Sequence, residues 1–147
     1  MTVGATPVPA PVTLDAIREA AAGLVGVAER TPLLAVEALS ALAGVPVYLK
    51  LENRQPTGAF KLRGAWTAVR RLPAAARRRG VITYSSGNHG QALAYAARRM
   101  GLRAVIVMPE NAPAKKVEGV KHWGGEVVFA GTTSEHRKTK AEEIIAA

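Results

Sequence analysis

The chain contains no cysteine. Neither a disulfide framework nor a thiolate zinc site can be built from it. Aromatic residues are scarce, at 5%, and no nucleic-acid reading motif is present, which argues against a small basic module that stacks or reads bases. Long apolar runs are missing as well. The longest aliphatic run, Ala104 to Met108, is far short of the roughly 20 residues that span a bilayer. No basic residue precedes Arg18, so the proline-rich start lacks the charged n-region of a secretory signal. Residues 1–13 are therefore read as a flexible tail, and the protein as cytoplasmic with no membrane partner. The most unusual absence concerns charge. Between Asn53 and Pro109 there is no Asp or Glu at all.

What is present fits a folded domain. The 147 residues are 48% hydrophobic, enough for one domain with a real core. The net charge is +9, from 20 basic and 11 acidic residues. Eleven of the basic residues lie in the acid-free stretch, and the rest of the chain carries a slight negative excess. Such a zone points to an anionic partner: nucleic acid, a phosphate-bearing cofactor or a carboxylate substrate.

Thr13 reads as the N-cap of a first helix, with Leu14, Ile17, Ala21 and Leu24 at helical spacing. Thr31-Pro32-Leu33 reads as a break in regular structure. Residues 36–42 read as a short helix closed by Gly44, and Val47 to Leu51 as a strand. A rhythm follows: helix Phe60 to Leu72, short helix Ala74 to Arg79, strand Val81 to Tyr84, helix Gly90 to Met100, strand Ala104 to Met108, helix Pro113 to Trp123, strand Val127 to Phe129, and a last helix with Ser134 as N-cap. Alternating strands and helices predict an α/β fold with a parallel sheet covered by helices on both faces. Ligands of such sheets sit beyond the carboxyl ends of the strands. The Arg70-Arg71 and Arg77-Arg78-Arg79 groups and Lys115-Lys116 read as solvated helix faces. His122 and His136 have no cluster of metal-binding partners around them, so no metal site is expected. Trp66 and Trp123 fit packing positions.

Two segments carry chemistry. In Thr57-Gly58-Ala59-Phe60-Lys61-Leu62-Arg63-Gly64-Ala65, a lysine opens a helix with no carboxylate close by in sequence. Partial burial there would favour its neutral amine, a nucleophile toward aldehydes; an ordinary surface lysine fits the same pattern. Ser85-Ser86-Gly87-Asn88-His89-Gly90-Gln91 falls between a strand and a helix. Small residues and free N–H groups at a helix N-terminus make an anion site for phosphate or carboxylate. An ordinary βα loop is the other reading. The loop lacks both the Walker pattern and the GxGxxG dinucleotide pattern.

Together with Thr31-Pro32-Leu33 and Val47-Tyr48-Leu49-Lys50-Leu51-Glu52-Asn53, these segments resemble the fold type II pyridoxal-phosphate enzymes, in the threonine/serine dehydratase and serine racemase branch. The resemblance runs from about residue 31 to residue 147. It implies that Lys61 forms a Schiff base with pyridoxal 5'-phosphate and then acts as base on the substrate Cα. Phe60 would pack beside the pyridine ring, and Asn88 would bind the cofactor's 3' oxygen. Ser85, Ser86, Gly87, Asn88 and His89 would hold the carboxylate of a small amino acid substrate. The implied activity is ammonia-lyase chemistry on L-threonine, L-serine or a related β-hydroxy amino acid.

Leu62-Arg63-Gly64 and Asn88-His89-Gly90 resemble the dehydratase branch rather than cysteine synthase-like members, which carry Lys-Asp-Arg and Asn-Thr-Gly. Ser86 resembles the serine that protonates the opposite face of the carbanion in serine racemases, so racemisation stands as an alternative to simple carboxylate binding. The resemblance further implies that residues 14–73 begin a large cofactor-holding domain and residues 74–147 belong to a small one. The phosphate-binding loop would lie in a second half that this sequence does not contain. The 147 residues alone are therefore expected to bind cofactor weakly, and the longer protein to form a homodimer or homotetramer. A catalytically silent fragment and a nucleic-acid-binding module complete the alternatives.

Overall fold

The computed structural model describes residues 11–147. Residues 1–10 of the expected tail lie outside them. Its last residue, Thr13, caps the first helix α1 (Leu14–Ala22): its Oγ1 accepts from the Ala16 N–H at 3.1 Å.

The segment from Pro32 is not simply a break. Strand β1 (Leu33–Ala35) pairs antiparallel with β2 (Tyr48–Lys50), in the register Leu33 to Lys50 and Ala35 to Tyr48. Pro32 still marks the strand's start, where a missing N–H costs nothing, and its carbonyl accepts from the Leu51 N–H. Between the strands, α2 (Glu37–Ala43) ends at Gly44 as expected. The Ser40 hydroxyl ties this helix to the returning strand, donating to the Val36 carbonyl and accepting from the Val47 N–H.

The second half follows the predicted rhythm. Helices α3 (Lys61–Arg70) and α4 (Ala74–Arg79) lead into strand β3 (Val81–Tyr84). Helix α5 (Asn88–Arg99), strand β4 (Ala104–Met108), helix α6 (Ala114–His122), strand β5 (Glu126–Phe129) and helix α7 (Ser134–Ala146) complete the chain. The three strands form a parallel sheet in the order β3-β4-β5. All five residues of β4 are buried, as a central strand covered on both faces requires. Helices α5 and α6 make the two crossovers and pack against each other; such connections are right-handed as a rule. Helix α7 turns back and packs on β3 and β4. Ile106 and Met108 meet Leu93, Ala94 and Ala96 of α5, Val120 of α6 and Val69 of α3 in one core. A smaller core joins Val27, Leu62 and Tyr95, with Trp66 and Trp123 packed on it; the Trp66 indole N–H donates to the Gly23 carbonyl at 2.7 Å.

Three details differ from the sequence reading. Helix α5 starts at Asn88, two residues earlier than expected. The N-cap of α7 is Thr133, whose Oγ1 accepts from the His136 N–H, and Ser134 is the first helical residue. The arginine groups are more than solvated faces. Arg70 and Arg71 both reach Glu19 of α1, at 3.2 and 3.1 Å. Arg77 donates to the carbonyls of Leu72 and Arg70, closing the end of α3. No helix among the described residues is long and apolar enough to cross a membrane.

Close approach of α5 to β4 depends on Gly90, where a Cβ would lie 2.7 Å from Cγ2 of Ile106. Both are buried backbone-adjacent positions with little room to yield. Gly90→Ala is expected to cost about 1–3 kcal/mol, the range of overpacked cores. Urea denaturation of the variant beside the parent checks this.

Candidate functional site

Lys61 is the first residue of α3. What fixes that end of the helix lies two residues on. Arg63 grips Glu52 with a two-pronged contact, Nε to Oε2 and Nη2 to Oε1, both at 2.9 Å. The same carboxylate accepts from the Thr31 hydroxyl at 2.6 Å and from Nε2 of Gln55 at 3.1 Å. Gln55 and Thr31 are buried. Gln55 also pairs with the backbone of Glu29, accepting from its N–H and donating to its carbonyl. One carboxylate therefore joins the segment before β1, the turn after β2 and the first turn of α3. These donors, Arg63 foremost, hold the Glu52 carboxyl at about 2. Sequence reasoning placed Glu52 within a motif and assigned it no role. Its position as the last carboxylate before the acid-free stretch was the available signal.

Lys61 is exposed, so the described residues do not supply the burial on which a neutral amine depends. Its ammonium sits 5.0 Å from the centre of the Phe60 ring, a cation–π contact. Phe60 is itself 57% exposed.

The loop from Ser85 to His89 joins β3 to α5 at the carboxyl end of the sheet. The Ser85 N–H extends the ladder to the Val107 carbonyl. Its Oγ accepts from the N–H groups of Gly87 and Gly90, at 3.2 and 3.1 Å, so this hydroxyl shapes the loop. Among the described residues, the hydroxyl of Ser86 and the N–H groups of Ser86, Asn88 and His89 have no protein partner. They lie at the N-terminus of a 12-residue helix, where N–H groups and the helix dipole attract anions. Lys116 departs from its expected place on a solvated helix face: from α6 it donates to Oδ1 of Asn88 at 2.5 Å.

Electrostatics links the two segments. The pKa of His89 lies below the ordinary imidazole value, first through partial burial of the ring and then through the positive charge of Lys61. The charge of Lys61 therefore reaches the loop. A cleft of about 600 Å³ runs along the outer edge of β3 and touches this site only at His89. His122 packs edge-on against Trp123, and no group of three His, Cys, Asp or Glu side chains forms a metal cluster among the described residues.

The profile of the family described as "Pyridoxal-phosphate dependent enzyme" matches residues 24–147. The chain belongs to this family. An L-threonine dehydratase of Pasteurella multocida is 46% identical over 118 residues, covering 80% of this chain and 23% of the relative. An L-threo-3-hydroxyaspartate ammonia-lyase of Pseudomonas is 46% identical over 120 residues, covering 82% and 38%. The structure of maize serine racemase superposes with a TM-score of 0.86 at 39% identity, covering 90% of this chain and 40% of that one. The chain thus spans well under half the length of these relatives. The expected family and the α/β architecture with a parallel sheet both hold. The residues present fit the family's cofactor: an accessible amine at a helix start, and unpaired donors at a second helix start for anionic groups.

Two measurements test this geometry. Because the Glu52 carboxyl lies below its usual 4.5, its contribution to stability is complete above that pH and is lost as pH falls toward about 2. Glu52→Gln is expected to cost about 2 kcal/mol at neutral pH, as for hydrogen bonds to charged groups, and to flatten the acid limb of a stability–pH curve. For His89, NMR titration of the imidazole is expected to give a midpoint below 6.5. Lys61→Met should raise that midpoint without fully restoring it, since burial remains.

Proposed function

We propose that this chain is part of a pyridoxal-phosphate-dependent ammonia-lyase acting on L-threonine, L-serine or a related β-hydroxy amino acid. The observation that supports the reading is an accessible Lys61 at the start of α3 and unpartnered donors at the N-terminus of α5, on two helices that pack against each other. The names of the dehydratase and ammonia-lyase relatives support it. Lys61 would bond the cofactor's aldehyde carbon through Nζ. Released by substrate, the same amine would take the proton from Cα. The N–H groups of Ser86, Asn88 and His89, with the Ser86 hydroxyl and the open backbone at Gly87, would hold the substrate carboxylate. Ser85 would keep the loop in the shape that presents them. Phe60 would flank the cofactor ring, and the Asn88 amide would donate to its 3' oxygen. Pyridoxal phosphate, when bound, supplies the electron sink for the developing carbanion. Loss of the β-hydroxyl as water, then hydrolysis, yields a 2-oxo acid and ammonia.

In the same reading, residues 14–73 belong to the cofactor-holding domain and residues 74–147 to the small one. The whole protein would be a cytoplasmic homodimer or homotetramer without nucleic-acid or metal partners. Racemisation of serine is the second reading. It is favoured by the Ser86 hydroxyl, which is exposed and unpartnered while that of Ser85 is committed to the loop. Following ammonia and D-serine together in Ser86→Ala separates the two. Equal loss of both would remove the special role of Ser86.

The cofactor assignment is tested by borohydride reduction in the presence of pyridoxal phosphate and peptide mapping. Label is expected on Lys61 in preference to the other six lysines, and Lys61→Arg should abolish it. Label spread evenly over the lysines would overturn the assignment.

A further inference from the structure

Lys116 stands in the first turn of α6, which begins at Ala114. The helix dipole disfavours a cation there. Yet its side chain runs past Gly87, with Cδ and Cε 3.8 Å from where a Cβ would stand, and delivers its ammonium to Oδ1 of Asn88 at 2.5 Å. An ammonium only donates, whereas an asparagine amide donates at one end and accepts at the other. The contact therefore settles which way the amide points. With Oδ1 given to Lys116, Nδ2 is the end left over, and among the described residues it has no acceptor. A charged donor on the oxygen also polarises the amide and strengthens what its N–H groups can do.

We propose that Lys116 is a positioning residue: it locks the Asn88 amide so that Nδ2 donates to an oxygen of the ligand in the loop. Resting on the reading above, that oxygen is the 3' oxygen of pyridoxal phosphate. Lys116 itself needs no contact with the cofactor. It acts through Asn88, which is what distinguishes it from a cation that attracts the ligand by its own charge.

A double-mutant cycle read by cofactor affinity tests this, using the visible absorbance of the Lys61 adduct and the borohydride-trapped fraction. Lys116→Met is expected to weaken pyridoxal phosphate binding about tenfold, the scale of one hydrogen bond to a charged group. Lys116→Arg, which keeps a cationic donor, should recover most of that. In an Asn88→Ala background, Lys116→Met should change affinity by less than about twofold. An undiminished tenfold loss there would overturn the proposal. A second readout needs no cofactor. The Asn88 side-chain amide signals in ¹⁵N-labelled protein should shift in Lys116→Met and stay in place in Lys115→Met. Unmoved signals in Lys116→Met would overturn the positioning role. Absence of any Lys61 adduct in the parent, with the amide shift present, would instead remove the cofactor reading and leave the Lys116–Asn88 lock standing.

Discussion

The carboxylate of Glu52 is the constraint on which the candidate site depends. It is largely withdrawn from water, and it accepts four hydrogen bonds from three separated segments. A carboxylate withdrawn from water is costly unless its lone pairs find donors. Here the donors come from different pieces of chain: Thr31 before β1, Gln55 in the turn after β2, and Arg63 on α3. Arg63 supplies two parallel contacts, a geometry that a lysine cannot reproduce. The engagement has a second effect. The carboxylate nearest in sequence to Lys61 is taken by Arg63 and makes no hydrogen bond to the lysine, whose ammonium meets the Phe60 ring instead.

From that anchor the rest of the arrangement follows by packing. Leu62 and Val69 fix α3 into the two cores, with Leu93 of α5 in the larger one. Gly90 lets α5 descend onto Ile106, so the helix starts directly at the carboxyl end of β3. That end of a parallel sheet is where N–H groups of successive helices face outward. Helix α3 packs along α5, and the charge of Lys61 at its start reaches His89 of the loop. Neither segment would make a site alone. A lone exposed lysine is ordinary, and so is a helix N-terminus.

The parts legible in the sequence were those governed by local pattern. The unbroken apolar run of β4, the spacing of α3 and α5, and the small residues of the Ser85–His89 loop each carry their structure within a few residues. The parts that were not legible depend on partners distant in the chain. Strand β1 is three residues long, and its partner is β2; nothing in Leu33–Ala35 itself distinguishes it from a loop. Arg70 and Arg71 look solvated until Glu19, in a helix near the chain's start, is placed beside them. Lys116 looks solvated until α6 is laid next to α5. The cap of α7 was missed by one residue because Thr133 and Ser134 are both competent, and only the hydrogen bond to His136 decides between them.

These partnerships also change the meaning of the positive charge. An acid-free stretch with 11 cations first suggests an extended anionic partner such as nucleic acid. In the fold, Arg63, Arg70, Arg71 and Arg103 are matched to carboxylates, while Arg77, Arg98 and Arg99 donate to backbone carbonyls. Arginines used in this way are internal fasteners, and their charge is partly spent inside the protein. The cations that remain beside the loop are Lys61 and Lys116, next to the positive end of α5. Positive charge beside a helix N-terminus attracts anions. At His89, burial of the ring first and the charge of Lys61 second make a further positive charge harder to add. Part of the positive charge thus gathers at one corner of the fold. The lack of Asp and Glu across the same stretch keeps that corner from being neutralised by the protein's own side chains.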